Sequence, residues 1–278
     1  MEKMKYEVLK FEEYKAVGGK GSYDKGVLSI TLSKWSKFYE EIRRFRDYKD
    51  YVWRGQGCGV KGWSLRSRFD RMNNAGNREE LLKRHLDQFK SAIRGRRGTN
   101  PPELKDDDLW AIGQHNGLAT PLLDWTKSPF VAAYFAFVKK IDGVKRNDGK
   151  RVVYGLNRDI VRWHIVTTYI SPNKKFSKKE QFVEFPKIEA HENVRFLAQS
   201  GVFTKALKGE DVKEKVQRFY HETNHRDRII LVEIFIRDSD REECLRDLNA
   251  MNINHASLFP DIYGSAIFCN LKLEIDKY

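Results

Sequence analysis

The sequence predicts one large α+β domain with an irregular N-terminal extension, and three observations carry that reading. Apolar residues recur at helical spacing in two long segments, 33–48 and 78–94. Ile229 to Ile236 alternates and is rich in β-branched residues, which marks it as the clearest strand. A chain of 278 residues that is 40% hydrophobic and 13% aromatic has the length and composition to bury a substantial core.

Taken in order, the first thirty residues carry Gly18, Gly19, Gly21 and Gly26 among Tyr and Lys, with a weak alternation that predicts one or two short strands. This extension, 1–30, precedes an α+β domain over 31–278. Trp35, Phe38, Tyr39, Ile42 and Phe45 form the apolar face of a helix over Ser33 to Tyr48. Tyr51-Val52-Trp53 reads as a short strand that stops at Arg54-Gly55. A second helix over Arg78 to Arg94 turns Leu81, Leu82, His85, Leu86, Phe89 and Ile93 to one side, and Gly95, Gly98 and Pro101-Pro102 end it.

Asp106, Asp107 and Asp108 favour the start of a third helix near Leu109, because acidic groups complement the partial positive charge of a helix N-terminus. Gly117 is placed to stop it. Leu122 to Trp125 is short and extended, and Ser128-Pro129 supplies an N-cap followed by proline at the first helical position. The helix it opens, Phe130 to Val138, is apolar on every face and therefore buried. Further on, Arg151 to Leu156 reads as a strand, 171–180 as a lysine-rich loop, Val194 to Leu197 as a strand and Glu210 to Glu222 as a helix. Ser239 with Glu242 fits a capping box for a helix that ends near Met251. Phe259-Pro260-Asp261 makes a turn, and the last fifteen residues return as a helix.

Charge and cysteine content narrow the function classes. Lys and Arg total 52 against 39 Asp and Glu, a formal net charge of +13 that attracts phosphate-bearing partners or simply solvates a lysine-rich surface. Cys58, Cys244 and Cys269 are widely separated and odd in number, so neither a disulfide framework nor a zinc or other metal site is expected. The N-terminus leads into no apolar core, and the longest apolar run is about half the length of a membrane span. A cytoplasmic protein without a membrane partner is the expectation. GxxxxGK[ST] and GxSxG are both missing, which leaves P-loop nucleotide hydrolysis and serine hydrolysis without support.

Three groups of residues are candidates for chemistry. Arg54 ends an apolar strand and is followed at once by Gly55, which would let a ligand approach the backbone, while the guanidinium suits a phosphate or carboxylate. The bland alternative is an arginine paired to a nearby carboxylate. Gln114 to Thr126 places many polar side chains, among them His115, Asp124 and Thr126, in a stretch that otherwise reads as core. Such groups form either a hydrogen-bonded network or the lining of a site. Asp124 is either a partner of Arg54 or His115 and a general base, or a cap for the following helix. Arg195 with Gln199, Gly201, Phe203 and Thr204 forms a third, weaker group.

Trp53-Arg54-Gly55-Gln56, the run Gln114-His115-x-Gly117-Leu118-x-Thr120-x-Leu122-Leu123-Asp124-Trp125-Thr126, Ser128-Pro129 and Ala133-x-Phe135-Ala136 resemble the FRG domain, which takes its name from a Phe/Tyr-Arg-Gly motif. Gln199-x-Gly201-x-Phe203-Thr204 and Leu258-Phe259-Pro260-Asp261 with Gly264-x-Ala266 look like later signatures of that family, so the resemblance spans about 50 to 268. Trp53 replaces the family's Phe or Tyr. Ala119 and Pro121 stand where its pattern has proline and arginine, which would remove one contact if that arginine meets ligand.

The resemblance implies a bacterial or phage domain with a split, mostly antiparallel sheet flanked by helices, similar to the ADP-ribosyltransferases by analogy of element order. The resemblance does not settle the activity; by that analogy the expectation is an NAD-dependent ADP-ribosyltransferase-like enzyme, a toxin or phage-defence effector acting on a protein or nucleic-acid acceptor. Arg54, with Gly55, Gln56, Gln114, His115, Arg195, Gln199 and Phe203, would then hold NAD, and Trp125 would stack or pack. Thr126 would meet the nicotinamide ribose. The catalytic carboxylate stays open among Asp124, Glu192 and Glu233. A non-catalytic module that binds nucleic acid or a phosphorylated partner is the alternative.

Overall fold

The computed structural model describes residue 14 and residues 19–45, 51–57, 64–72, 76–140, 149–159, 161, 183–188, 194–206, 208–222 and 228–278. Seven strands form one sheet: β1 (Gly19–Asp24), β2 (Val27–Leu32), β3 (Tyr51–Gln56), β4 (Leu122–Thr126), β5 (Lys150–Asn157), β6 (Gly201–Lys205) and β7 (Leu231–Arg237). Their order across the sheet is β1-β2-β7-β5-β3-β4-β6, and every neighbouring pair is antiparallel except β2 with β7. Ten α-helices among the described residues complete an α+β architecture. No described helix is long and apolar enough to cross a membrane.

One junction in the sheet is thin. β3 pairs with β5 from Tyr51↔Asn157 to Gln56↔Val152, and β4 pairs with β6 along its whole length, yet β3 and β4 share only Trp53↔Thr126. Beyond that pair the two strands part, and space opens between them.

The Pro129–Phe137 helix lies over this region. Ser128 caps it by accepting from the Val131 N–H at 3.3 Å, with Pro129 at the first turn, as the local chemistry dictates. Ala132, Ala133, Tyr134, Ala136 and Phe137 are all buried in a core shared with Trp53, Val153 and Ile234. A buried helix end leaves carbonyls that need donors, and two arginines reach them. Arg151, fully buried, donates from Nη1 to the Ala136 and Lys139 carbonyls and pairs with Asp238; Arg241 donates to those of Phe137 and Val138.

Several elements differ from their sequence-based expectations. The first helix is broken into a 3-10 turn (Trp35–Lys37), one α turn (Phe38–Ile42) and a second 3-10 turn (Arg43–Phe45). Its entry is set from far away, by the Trp35 N–H donating to Asp240 Oδ2 at 2.7 Å. β3 runs on to Gln56, because β5 supplies partners through Arg54 and Gly55. The third helix starts at Asp106, so its three aspartates fill the first turn.

Val194–Ala198 is a helix, not a strand. A short apolar run fits either period, and the sheet position beside β4 is taken by β6, reached through Ser200 at φ 48°. The capping box at Ser239 does not form. Ser239 Oγ donates to Asp240 Oδ1 instead, and Asp240 is the N-cap residue of Arg241–Ala250. The lysine-rich segment 171–180, Cys58 and Glu192 lie outside the described residues.

The helix approaches β3 so closely that a β-carbon built at Gly55 would stand 1.8 Å from the Ala132 carbonyl oxygen and 2.6 Å from the Ala136 nitrogen. Backbone cannot yield as a flexible side chain can. Gly55→Ala is therefore expected to destabilise the protein by about 1–3 kcal/mol, the range of overpacked cores. Chemical denaturation of the two proteins measures it, and equal midpoints would refute the close approach.

Candidate functional site

A cavity of about 700 Å³ opens where β3 and β4 part. Trp53 to Gly57 and Asp124 to Thr126 line it from the strands, Gln114 and His115 from the end of the Asp106–His115 helix. Ala132, Phe135, Ala136, Val138, Lys139 and Lys140 line it from the Pro129–Phe137 helix and its C-terminal end, and Arg195, Gln199 and Phe259 complete the lining.

Most of these side chains are held by bonds within the site. Arg54 donates from Nη1 to the Asp124 carbonyl at 2.7 Å, and that nitrogen is 3.9 Å from the Asp124 carboxylate. Gln114 is fixed at both ends: its Nε2 donates to Asp124 Oδ1 at 2.5 Å, and its Oε1 accepts from the Thr120 hydroxyl. Thr126 Oγ1 donates to the Gln199 carbonyl at 2.7 Å and accepts from the Ser128 N–H at 3.1 Å, so this hydroxyl joins β4 to the opposite wall. Trp125 is buried and donates from Nε1 to Thr204 Oγ1 at 2.8 Å, which makes it part of the packed core beneath the cavity.

Against this background three buried nitrogens of the lining lack a hydrogen-bond partner: Arg54 Nε, Gln56 Nε2 and His115 Nε2. An unpartnered buried donor costs about 1–3 kcal/mol. All three belong to residues that line the same cavity, where a ligand can satisfy them. Arg54, Lys139, Lys140 and Arg195 set four cations on the lining against the single carboxylate of Asp124. Burial pulls the Arg54 guanidinium below its usual range, and Asp124 opposes the shift. Of these cations, Arg195 is paired with Asp261 outside the lining.

The structure brings together Arg54, Gly55, Gln56, Gln114, His115, Asp124, Trp125, Thr126, Arg195 and Gln199. Phe203 and Glu233 are placed elsewhere. Phe203 is buried beside the Asp106–His115 helix and stacks on Phe196 at 5.2 Å. Glu233 is buried on β7, where Ser29 Oγ donates to it at 2.8 Å and Lys213 Nζ does so at 2.8 and 2.9 Å. β5 separates its strand from β3, a consequence of sheet order that no local pattern carries.

Sequence reasoning missed the far wall. Ala132 and Ala136, four apart, were the available signal, since small residues at that spacing allow the contact with Gly55. Lys139-Lys140, closing an otherwise apolar run, was another. Among the described residues no group of histidine, cysteine and carboxylate side chains could hold a metal ion.

The family model of the FRG domain matches residues 49–144, the segment that supplies both strands at the opening, the end of the Asp106–His115 helix and the Pro129–Phe137 helix. No curated protein and no solved structure matches the chain.

Two histidines tie this site to pH. Burial lowers the pKa of His115, with Asp124 opposing and Arg195 adding to the shift. Burial also lowers that of His255, whose ring stacks on Phe259 at 4.3 Å, with Asp261 opposing and Arg195 again adding. The folded protein therefore favours both neutral rings, and the unfolded chain binds more protons once pH falls to the ordinary histidine value of about 6.5. Stability is expected to drop as pH falls through that value, and to drop less in His115→Asn. Denaturation midpoints measured across this range test the linkage; an equal drop in the variant would refute it for His115.

Proposed function

From the premise that the chain carries an FRG domain over residues 49–144, we propose that the cavity binds a nucleotide through its phosphates and that NAD⁺ is the substrate of an ADP-ribosyltransferase-like reaction. The observation that carries the reading is the convergence of Arg54 Nε, Gln56 Nε2 and His115 Nε2, buried and unpartnered, in a cavity with an excess of cations. Its volume falls within the range of small-molecule sites, about 300–1,000 Å³.

Arg54 and Arg195 are assigned to the phosphates, because a guanidinium matches their geometry. Gln56 adds a donor beside Arg54, and His115 Nε2 adds a donor or an acceptor according to its tautomer. Phe135 and Phe259 offer apolar faces to a flat ring. NAD⁺ supplies a C–N bond whose cleavage leaves positive charge on the ribose, the electron pair departing with nicotinamide. Asp124 is the carboxylate of the cavity suited to face that charge, held in place by Gln114. Thr126 acts through Gln199, since its hydroxyl is engaged twice within the protein. The likeness to the ADP-ribosyltransferases rests on element order, an analogy.

A second reading rests on the same geometry. Gln114 and Arg54 both engage Asp124, which would make that carboxylate a strut and the cavity a receptor for a nucleotide or a phosphorylated partner, without cleavage.

Calorimetry with NAD⁺ and ADP-ribose, together with an assay of nicotinamide release over protein, DNA and RNA acceptors, separates these readings. Arg54→Ala is expected to weaken binding by roughly tenfold or more, the value of a charge-assisted contact in a desolvated site. Asp124→Asn is expected to abolish release while binding persists. Release unaffected by Asp124→Asn would remove that residue from the chemistry, and binding without release under every condition would favour the receptor. No binding at all would end the nucleotide reading. In cells, the enzyme reading predicts a toxin or phage-defence effector, with growth arrest caused by the wild type and relieved in Arg54→Ala.

A further inference from the structure

Asp261 contributes nothing to the cavity surface, yet it governs a residue that does. Arg195 lines the cavity from the Val194–Ala198 helix, outside the segment matched by the FRG model. Its Nε donates to Asp261 Oδ2 at 2.8 Å, and Nη2 donates to the same oxygen. The guanidinium also lies over the Phe259 ring, 5.5 Å from its centre. Phe259 is itself fixed between His255, stacked at 4.3 Å, and Phe135, edge-on at 6.1 Å.

A long arginine side chain on a five-residue helix has several rotamers open to it, and each one lost on binding costs free energy. Here the loss is taken in advance. Asp261 engages Nε and Nη2 and Phe259 faces the guanidinium, which leaves Nη1 as the nitrogen that Asp261 does not engage.

Asp261 is in turn tied to the helix that follows it. Its second oxygen, Oδ1, accepts the Gly264 N–H at 2.7 Å and so caps the Ile262–Glu274 helix. Gly264 is packed against the Phe259 backbone, where a β-carbon would stand 1.9 Å from the carbonyl oxygen. Gln199 Nε2, four residues along from Arg195, donates to the Leu258 carbonyl at 3.1 Å and joins the same wall to the same turn.

We propose that Asp261 is a positioning residue: it holds the Arg195 guanidinium in the wall of the cavity with Nη1 presented to an anionic group of the ligand. The functional unit then reaches at least to the N-terminus of the Ile262–Glu274 helix, well past the matched segment. The ligand half of this statement rests on the nucleotide reading above; the clamp itself does not.

Asp261→Asn is the informative variant, because asparagine keeps the helix cap through its side-chain oxygen and removes the charge that binds Arg195. One arm needs no ligand. Phenylglyoxal modification of Arg195, followed by peptide mass spectrometry, is expected to run several-fold faster in Asp261→Asn, with Arg54 in the same sample as the internal reference. An unchanged rate at Arg195 would overturn the clamp.

The second arm is a double-mutant cycle read by NAD⁺ and ADP-ribose affinity. Asp261→Asn is expected to weaken binding about tenfold in the wild-type background and to have no further effect in Arg195→Ala. A loss of the same size in both backgrounds would mean a structural role for Asp261 and overturn the proposal. Should Asp261→Asn fail to fold, Phe259→Leu tests the same clamp from its other side through the modification rate at Arg195, which is expected to rise; an unchanged rate would overturn the clamp. Faster modification in Asp261→Asn with no nucleotide binding by the wild type would leave the clamp standing and remove the nucleotide reading alone.

Discussion

The closeness of the Pro129–Phe137 helix to β3 is the constraint on which the site depends. The absence of a side chain at Gly55 lets the Ala132 carbonyl and the Ala136 nitrogen come within reach of the strand backbone. That contact sets the depth of one cavity wall and keeps Arg54, the neighbour of Gly55, at the edge of the opening. The same helix carries Phe135 to the cavity and ends just before Lys139 and Lys140, so both its apolar and its basic parts follow from one packing distance. A helix placed this deep has polar ends that water cannot serve. Arg151 and Arg241 serve the C-terminal end, each paired with a carboxylate, Asp238 and Glu274, which offsets the cost of burying their charge.

The second determinant is the parting of β3 from β4 after one register pair. Strands that separate expose backbone groups and leave a gap, and here side chains compensate. Arg54 bonds the Asp124 carbonyl, Gln114 spans Thr120 and Asp124, and Thr126 pins the Gln199 carbonyl. Arg54 Nε, Gln56 Nε2 and His115 Nε2 are the buried nitrogens of the cavity that this network leaves unsatisfied among the described residues. Those three positions open on one cavity, where a bound group could close them.

Much of the local structure was legible because its causes are local. Ser128-Pro129 states a helix start in two residues, the aspartates at 106–108 mark another, and the β-branched alternation at 229–236 marks β7. Failures came where a distant group decides. The capping box at Ser239 lost to Asp240, whose carboxylate is drawn to the Trp35 N–H more than two hundred residues away in the chain. Val194–Ala198 carries an apolar run that suits a helix or a strand, and only the occupancy of the sheet by β6 distinguishes them.

By itself the sequence determined that the chain folds as α+β, where its strongest caps and strands lie, and, through the motifs around Arg54 and Gln114 to Thr126, that these segments meet at one place, the cavity. Tertiary structure alone decided the order of the strands, and with it the separation of Glu233 from Arg54 by β5 and the placing of Phe203 in a core. It also decided that Arg195, Gln199 and Phe259 complete the wall, and that Asp261 holds the first of them. The physical reason is range. Caps, periods and turns act over a few residues and leave their mark in sequence, whereas a cavity is the distance between surfaces, set by how helices seat on a sheet whose order no residue encodes alone.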